Sequence, residues 1–179
     1  EKELAVHVDG ARIWHSILEC NINPKEVGKA IDSLTFCFSK GLGAPVGSML
    51  LGKKDFISKA REFRKVRGGG MRQVGVLAAA AKYGLESKEK LLDDHLKANQ
   101  ISSYFIKNSY SGLDEVIYKG TNMVFLSFEK EKNADMFVDN LKDEGVRLAK
   151  ITPKVVRIVT HLDISKEDVD RFISILEER

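Results

Sequence analysis

The chain has 179 residues, of which 43% are apolar and 31% are charged, with a formal net charge of +3. This length suffices for one domain, or for one domain and part of another, and the composition suffices for a buried core. Basic residues cluster between Lys53 and Arg72, but few aromatic residues are interleaved and no nucleic-acid-binding motif accompanies them. We therefore predict no nucleic-acid partner.

Cysteine content and hydropathy exclude further classes. Two cysteines, Cys20 and Cys37, provide no disulfide framework, which favours a reducing cytosol and predicts a cytoplasmic protein. No apolar run approaches the ~18 residues that span a membrane, so we predict no membrane partner. The sequence starts with Glu1, directly before a predicted strand, and shows no signal peptide. We therefore expect that it begins within a larger protein.

Strands and helices alternate in the first half of the chain. Apolar, β-prone runs predict strands at residues 4–8, 31–39 and 46–51. Helices are predicted at residues 13–20, 55–66 and 71–83, and another begins at Pro24 after an Asn23 cap. This alternation predicts an α/β layer with buried, largely parallel strands.

The character of the sequence changes at Ser87. A long amphipathic helix is predicted at residues 87–110, and the domain junction is expected between Glu86 and Asp93. A β-prone stretch at 116–128 is interrupted at Gly120, and a helix is predicted at 133–144. Short strands are predicted at 146–148 and 155–159. A final helix is predicted to begin after its cap, Ser165.

Two chemically active side chains follow the carboxyl ends of predicted strands. Asp9 follows the first strand, and Lys40 lies where the second breaks into Gly41-Leu-Gly-Ala-Pro45. Ligands gather at the carboxyl ends of parallel strands, so neighbouring strands would present both side chains to one crevice. A desolvated lysine can be neutral and attack a carbonyl, which makes Lys40 a candidate Schiff-base residue. The alternative is a solvated lysine in a turn.

A pyridoxal phosphate site needs such a lysine and also a carboxylate beside the pyridine nitrogen. Asp9 fits that second requirement. Ala11 is small enough to let the ring lie close to the backbone, and Arg12 offers a charge-assisted hydrogen bond to the ring oxygen or to a substrate carboxylate. On local sequence alone, a surface turn with an Asp–Arg pair explains this segment equally well.

Several segments resemble the low-specificity L-threonine aldolases, which are pyridoxal phosphate enzymes of the aspartate-aminotransferase fold. They are His7-Val-Asp-Gly-Ala-Arg12, Phe36–Ser48, Arg64–Gln73, Thr121–Val124 and Val156–Leu162. The similarity runs from the first residue to the last. It implies an α/β fold in which residues 1–88 are the carboxyl-terminal part of a fold-type-I large domain, a mostly parallel sheet with helices. Residues 89–179 would form a small α+β carboxyl-terminal domain.

The resemblance implies a role for each matching residue in the first half. Lys40 would form the Schiff base with pyridoxal phosphate, and Asp9 would pair with the pyridine nitrogen. Ala11 would lie against the ring. Arg12 would contact the ring oxygen or the substrate carboxylate. No metal site is implied.

Further roles are implied for residues beyond the Lys40 motif. Arg157 would bind the substrate α-carboxylate through two parallel hydrogen bonds. Arg72 would reach the cofactor phosphate, and Lys65 would lie near the substrate, although a solvated helix face explains Lys65 as well. His7 is expected to pack or to support the site indirectly, and the role of His161 is left open.

The implied reaction is the cleavage of L-threonine or L-allo-threonine to glycine and acetaldehyde by a pyridoxal phosphate-dependent lyase. Longer members of the family carry further large-domain strands, the phosphate-binding helix start and a ring-stacking aromatic residue at the amino end. We therefore expect a carboxyl-terminal part that needs this missing portion, as a second chain or a lost segment, and that forms a homo-oligomer. The alternatives are another enzyme of the same fold, such as a β-eliminating lyase, or a non-catalytic fragment that needs a partner chain.

Overall fold

The structure, a computed structural model, describes residues 4–178. The chain divides after Glu89 into two compact units. Each unit contains a sheet and helices of its own, and each is described by itself below.

Within the described residues, the first unit contains a three-stranded sheet in the order β1-β2-β3. Its strands are β1 (His7–Asp9), β2 (Ser33–Cys37) and β3 (Ser48–Gly52). Its α-helices are α1 (Ile13–Glu19), α2 (Pro24–Ala30), α3 (Lys54–Val66) and α4 (Gly75–Glu86). Asn23 caps α2 as predicted, because its side-chain oxygen accepts a hydrogen bond from the Lys25 amide at 3.0 Å.

The strand directions differ from the prediction in one respect. β1 and β2 are parallel, and α1 and α2 form the long connection that a parallel pair requires. β3 is antiparallel to β2, because the connection over residues 38–47 is too short for a crossover and returns the chain directly. The α/β class is therefore confirmed, and β3 is the antiparallel exception in a sheet expected to be largely parallel.

The core of the first unit is small. Its buried apolar side chains are those of Ile17, Leu34, Phe36, Phe38, Leu42, Ala44 and Ala81. Phe36 contacts the rings of Trp14 and Phe38 edge-on, at centroid distances of 6.2 and 5.0 Å. None of the described side chains of α3 is buried, although Phe56 and Phe63 lie on its apolar face. Among the described residues of the first unit, none fully covers the apolar face of α3.

Within residues 4–178, the second unit contains a four-stranded antiparallel sheet in the order β4-β5-β7-β6. Its strands are β4 (Leu113–Tyr118), β5 (Met123–Phe128), β6 (Ala149–Thr152) and β7 (Val155–Val159). Its α-helices are α5 (Leu91–Lys107), α6 (Glu131–Asp143) and α7 (Lys166–Glu177). A short 3-10 turn, Lys88–Lys90, precedes α5.

One face of this second sheet is covered by the helices. Alternate residues of β5 and β7 are buried, because successive side chains of a strand point to opposite faces. Leu126 and Val156 pack with Phe105 of α5, Phe137 of α6 and Val169 of α7 in one hydrophobic core. The intervening residues, including Arg157, lie on the opposite face and are only partly buried.

Some element boundaries differ from the predictions. The strand predicted at 146–148 is wrong, since the chain pairs with β7 only from Ala149. The helix predicted at 87–110 is shorter, and α4 begins at Gly75 and continues through Gly84 instead of ending there. The predicted cap of α7 is confirmed: Asp168 N donates to Ser165 Oγ at 3.1 Å, and Ser165 N donates to Asp168 Oδ2 at 2.8 Å.

The α7 cap gives a prediction on stability. The hydrogen bonds from Ser165 hold the pKa of the Asp168 carboxyl below its usual value. The ionised Asp168 carboxylate therefore stabilises the folded protein above the pKa that this carboxyl has in the unfolded chain. This stabilisation is lost as the pH falls through the lower pKa that Asp168 has in the folded protein. We expect Ser165→Ala to reduce the free energy of unfolding by about 1 kcal/mol at neutral pH, and by less in acid.

Urea denaturation at neutral and acidic pH measures this effect. Ser58→Ala, an exposed substitution inside α3, is the control and should be close to neutral at both pH values. Equal free energies of unfolding for Ser165→Ala and the unchanged protein would contradict the capping role.

Candidate functional site

The segments that carry Asp9 and Lys40 leave the first sheet at the same edge. β1 and β2 are neighbours, and Asp9 is paired with Thr35 in the parallel register. The ladder continues past β1, since Gly10 N donates to Thr35 O at 2.8 Å and Cys37 N donates to Ala11 O at 3.2 Å. The condition for a shared crevice at the carboxyl ends of these strands is thus met.

Turn hydrogen bonds fix the backbone around Lys40. Gly43 N donates to Lys40 O at 2.9 Å, and Ala44 N donates to Phe38 O at 3.0 Å. Leu42 and Ala44 are buried and anchor the loop, whereas the side chains of Lys40 and Asp9 are exposed. The described residues therefore position the lysine but do not desolvate it, which Schiff-base chemistry at Lys40 would require.

Helix α4 packs directly against this loop. A Cβ atom built on Gly84 would lie 2.2 Å from the carbonyl oxygen of Leu42. Only a glycine permits such a close approach between a helix and a neighbouring backbone. Gly84 therefore allows α4 to pack directly against the loop that carries Lys40. The sequence analysis missed this role because it interpreted Gly84 as a helix terminator.

The turn after Asp9 is equally tight. A Cβ atom on Gly10 would lie 2.7 Å from Leu34 Cδ1 and 3.2 Å from the carbonyl oxygen of Thr35. The backbone then enters α1, and Ala11 and Arg12 are both partly buried beside the β2 ladder. Because Gly10 has no side chain, the turn that leads from Asp9 to Ala11 and Arg12 can pack directly against β2.

Among the described residues, no hydrogen bond or ion pair connects Lys65 or Arg72 to the sheet edge near Asp9 and Lys40. Lys65 lies in the last turn of α3 and Arg72 in the segment before α4, and both are exposed. Neither side chain makes a hydrogen bond or an ion pair within residues 4–178. Their proposed roles therefore stay predictions.

Arg157 lies at the centre of the open face of the second sheet. It is paired with Phe125 of β5 and with Ala149 of β6. Its Nε atom is buried and has no hydrogen-bond partner among the described residues. An unpaired buried donor on a charged group is costly, so this guanidinium group is suited to a ligand that accepts hydrogen bonds.

A buried ion pair holds the turn that follows β7. Lys97 Nζ lies 2.8 Å from Asp94 Oδ1, and the two side chains are 12% and 3% exposed. Lys97 Nζ also donates to the carbonyl oxygens of His161, at 3.1 Å, and Ile164, at 2.8 Å. Three acceptors satisfy all three donors of the ammonium group. We call Asp94 and Lys97 the α5 clamp.

A second set of hydrogen bonds holds the same turn from β5. Thr160 Oγ1 donates to Asp94 O at 2.6 Å, and Asn122 Nδ2 donates to Thr160 O at 2.9 Å. The sequence contains the i, i+3 spacing of Asp94 and Lys97, but that spacing usually indicates a solvated helix face. The sequence did not reveal that these two side chains are buried. Because they are buried, the α5 clamp holds the turn after β7 in place.

The two histidines with open roles have different surroundings. His7 is exposed on β1, and its Nδ1 lies 2.8 Å from Ser33 Oγ on the neighbouring strand. His161 Nδ1 accepts a hydrogen bond from Asp163 N at 3.3 Å and lies 3.6 Å from the Asp163 carboxylate. Among the described residues of the first unit, no hydrogen bond or ion pair joins the His7 imidazole to Lys40.

Within residues 4–178, no helix has both the length and the apolar character that crossing a membrane requires. Over the same range, no three His, Cys, Asp or Glu side chains come together as a metal site would need.

The fold and these motifs agree with known structures. The chain superimposes with a TM-score of 0.76 on a provisionally assigned L-allo-threonine aldolase from Listeria monocytogenes, at 25% identity, covering 98% of this chain and 52% of the other. Serine palmitoyltransferase from Sphingomonas wittichii shares the fold, with a TM-score of 0.63 at 16% identity, covering 86% of this chain and 40% of the other. The fold is therefore that of the fold-type-I pyridoxal phosphate enzymes.

Sequence comparison identifies the family. Residues 1–129 match the beta-eliminating lyase family, and the chain belongs to that family. The low-specificity L-threonine aldolase of Escherichia coli K12 is 42% identical over 170 residues, which cover 94% of this chain and 49% of that protein. The resemblance to these aldolases is thus confirmed, and the chain spans about half the length of this relative.

The contact between α4 and the Lys40 loop gives a second prediction. Gly84→Ala should displace the loop and reduce the free energy of unfolding by roughly 1–3 kcal/mol, because the added methyl group would overlap the Leu42 carbonyl. Gly75→Ala in the same helix is the matched control, since a Cβ atom there meets nothing within 4 Å. If both variants unfold at the same urea concentration, the proposed contact is wrong.

The α5 clamp gives a third prediction. Lys97→Met leaves the Asp94 carboxylate buried and unpaired, and we expect a loss of roughly 3 kcal/mol in the free energy of unfolding. Asp94→Leu combined with Lys97→Met should recover part of that loss, because no buried charge then remains.

Chemical denaturation of the two variants and of Lys107→Met, an exposed control at the end of α5, measures these differences. A Lys97→Met variant as stable as Lys107→Met would show that the α5 clamp contributes nothing.

Proposed function

We propose that this chain is the carboxyl-terminal part of a pyridoxal phosphate-dependent threonine aldolase. Its reaction is the cleavage of L-threonine or L-allo-threonine to glycine and acetaldehyde. The observation that carries this proposal is the parallel pairing of β1 with β2, since the Asp9 and Lys40 segments leave the sheet at one edge. Membership of the beta-eliminating lyase family and similarity to the Escherichia coli aldolase support it.

The proposal assigns a different role to each of the two parts of the chain. Residues 1–88 belong to the cofactor-binding large domain, and residues 89–179 form the small carboxyl-terminal domain. Both ranges extend slightly beyond the described residues. The location of the Lys40 and Asp9 motifs in the first unit supports this assignment.

The residues at the Asp9–Lys40 edge fit pyridoxal phosphate. An amine, a carboxylate and a small side chain follow adjacent strands there, and both charged groups are accessible. Bound pyridoxal phosphate would supply an electron sink for the negative charge that develops at the substrate α-carbon. Lys40 would hold the cofactor covalently, and Asp9 would keep a proton on the pyridine nitrogen. Ala11 would leave room for the ring.

Cations would orient the anionic groups. Arg12 would donate hydrogen bonds to the ring oxygen or to the substrate carboxylate, and Arg157 would bind the substrate α-carboxylate with its planar fork. The unpaired Nε donor of Arg157 supports this assignment. Arg72 would contact the cofactor phosphate, and Lys65 would lie near the substrate.

The protein also needs partners in this proposal. Among the described strands, β1 pairs only with β2, so its other edge is open. Large apolar side chains are exposed in the first unit, among them those of Phe63, Val66, Met71 and Val76. The amino-terminal half that the relatives possess, and further copies in a homo-oligomer, would cover such surfaces.

Two alternatives have support of their own. The family description favours a β-eliminating lyase, which would release ammonia from threonine in place of acetaldehyde. The exposure of Lys40 favours a fragment that has no activity without a partner. Assays of acetaldehyde and ammonia, with and without the amino-terminal half, distinguish these possibilities. A cytoplasmic location is proposed from the thiols of Cys20 and Cys37, both free in the described chain.

The lysine assignment has a direct test in the protein that includes the amino-terminal half. Lys40→Ala should remove the visible absorbance band of a lysine-bound cofactor and reduce kcat/KM for L-threonine by more than about 10³-fold. Lys59→Ala, which removes an exposed lysine of α3, is the control and should keep both. Absorbance that survives in Lys40→Ala would contradict the assignment.

A further inference from the structure

A cavity of about 140 Å³ lies in the first unit, between helices α1 and α2 and the sheet. Its walls are mostly apolar, with Ile17 from α1, Val27 from α2 and Leu34 from β2. An apolar protein cavity of about 150 Å³ is large enough to hold benzene. The cavity in the first unit therefore has room for a ring of about six atoms.

One hydrogen-bond donor at this cavity has no acceptor. Trp14 belongs to the cavity wall, and its Nε1 atom is buried without a hydrogen-bond partner among the described residues. A buried N–H group without an acceptor is costly, and an occupant that supplies an acceptor removes that cost. Because an indole can only donate, this group favours an occupant that carries a hydrogen-bond acceptor.

Two contacts fix the Trp14 ring. Phe36 contacts it edge-on at a centroid distance of 6.2 Å, and Lys88 Nζ lies 5.8 Å from the ring centroid. An ammonium group over the face of an indole is attracted to the ring. The donor is thus held in place before an occupant arrives, which reduces the entropy lost on binding.

The other polar groups of the wall already have partners. Asp32 Oδ2 accepts a hydrogen bond from Val6 N at 2.8 Å, and Asp32 Oδ1 lies 3.8 Å from Lys53 Nζ. Ser33 Oγ lies 2.8 Å from His7 Nδ1. Among the described residues, no lysine, arginine or histidine lines the cavity. A charged occupant would lose its hydration there with little compensation, so the walls favour a neutral one.

The cavity does not include the residues of the proposed cofactor site. Ser33 and Gly52 line it and are paired at the end of the β2–β3 ladder that lies away from the Lys40 loop. Neither Asp9 nor Lys40 is part of its wall. Occupancy of the cavity therefore needs no residue to which the proposed reaction assigns a role.

We propose that this cavity binds a small neutral molecule that is apolar apart from one acceptor oxygen, to which Trp14 Nε1 donates a hydrogen bond. A cyclic ether with a ring of about six atoms has this size and chemistry. The inference goes beyond the proposed function and does not depend on it.

Proton–nitrogen NMR of the protein that includes its amino-terminal half tests the inference. The two probes are tetrahydropyran, which has a ring oxygen, and cyclohexane, which has a ring of the same size and no acceptor. Tetrahydropyran should shift the Trp14 indole proton resonance downfield and saturably, because the N–H group gains an acceptor. The resonance is assigned by its absence in Trp14→Phe.

The affinities of the two probes, measured by ligand-observed NMR, give a second readout. Their ratio cancels the apolar contacts that both rings share. In Trp14→Phe the affinity for tetrahydropyran relative to cyclohexane should fall on the order of tenfold, because only the ether loses a hydrogen bond to a buried donor.

A second variant keeps the indole and fills the cavity. Gly28 lines the cavity, and a Cβ atom built there meets nothing within 4 Å, so Gly28→Leu adds a side chain without a backbone clash. It should abolish the indole shift. Lys25→Leu adds the same side chain at an exposed position of α2 outside the cavity and should leave the shift unchanged. Circular dichroism melting curves verify that each variant is folded.

Each outcome decides for or against the inference. A saturable indole shift that disappears in Gly28→Leu and persists in Lys25→Leu supports it, as does the lower affinity ratio in Trp14→Phe. An indole resonance that tetrahydropyran leaves unmoved, a shift that persists in Gly28→Leu, or an unchanged ratio in Trp14→Phe overturns it. If Trp14→Phe does not fold, the pair of leucine variants decides alone. Threonine cleavage is assayed separately, so failure of this inference leaves the proposed function intact.

Discussion

The parallel pairing of β1 with β2 determines where the candidate residues of the first unit lie. Because the two strands run in the same direction, the segments after Asp9 and after Cys37 leave the sheet at one edge, and the Cys37–Ala11 hydrogen bond extends the pairing into both loops. An antiparallel pair would have put the two segments at opposite ends. Gly10 and Gly84 then allow the tight packing that holds both loops.

The second unit orders the surroundings of β7 by different means. The register of β6 and β7 pairs Arg157 with Ala149, and the α5 clamp holds the turn that follows β7. A buried ion pair usually adds little net stability, because desolvation offsets the attraction. Here Lys97 also satisfies two backbone carbonyl groups, so its structural role is to order the turn after β7.

The exposed surfaces of the first unit agree with the length comparison. Lys40 is positioned but solvated, α3 has no buried side chain in the described residues, and the chain covers 49% of its Escherichia coli relative. Lys40 is exposed among the described residues, so they do not supply the desolvation that Schiff-base chemistry favours. The sequence motif therefore predicts the type of chemistry, and the described residues position Lys40 without desolvating it.

The amino-acid sequence alone was sufficient for the α/β class, the two helix caps and the motifs around Asp9, Lys40 and Arg157, because each depends on residues close together in the chain. It did not reveal the antiparallel direction of β3, the close approach of Gly84 to Leu42, or the α5 clamp. These features depend on which distant segments meet and on what becomes buried between them. Local periodicity contains no information about either, so only the folded chain distinguishes a buried Lys97 from a solvated one.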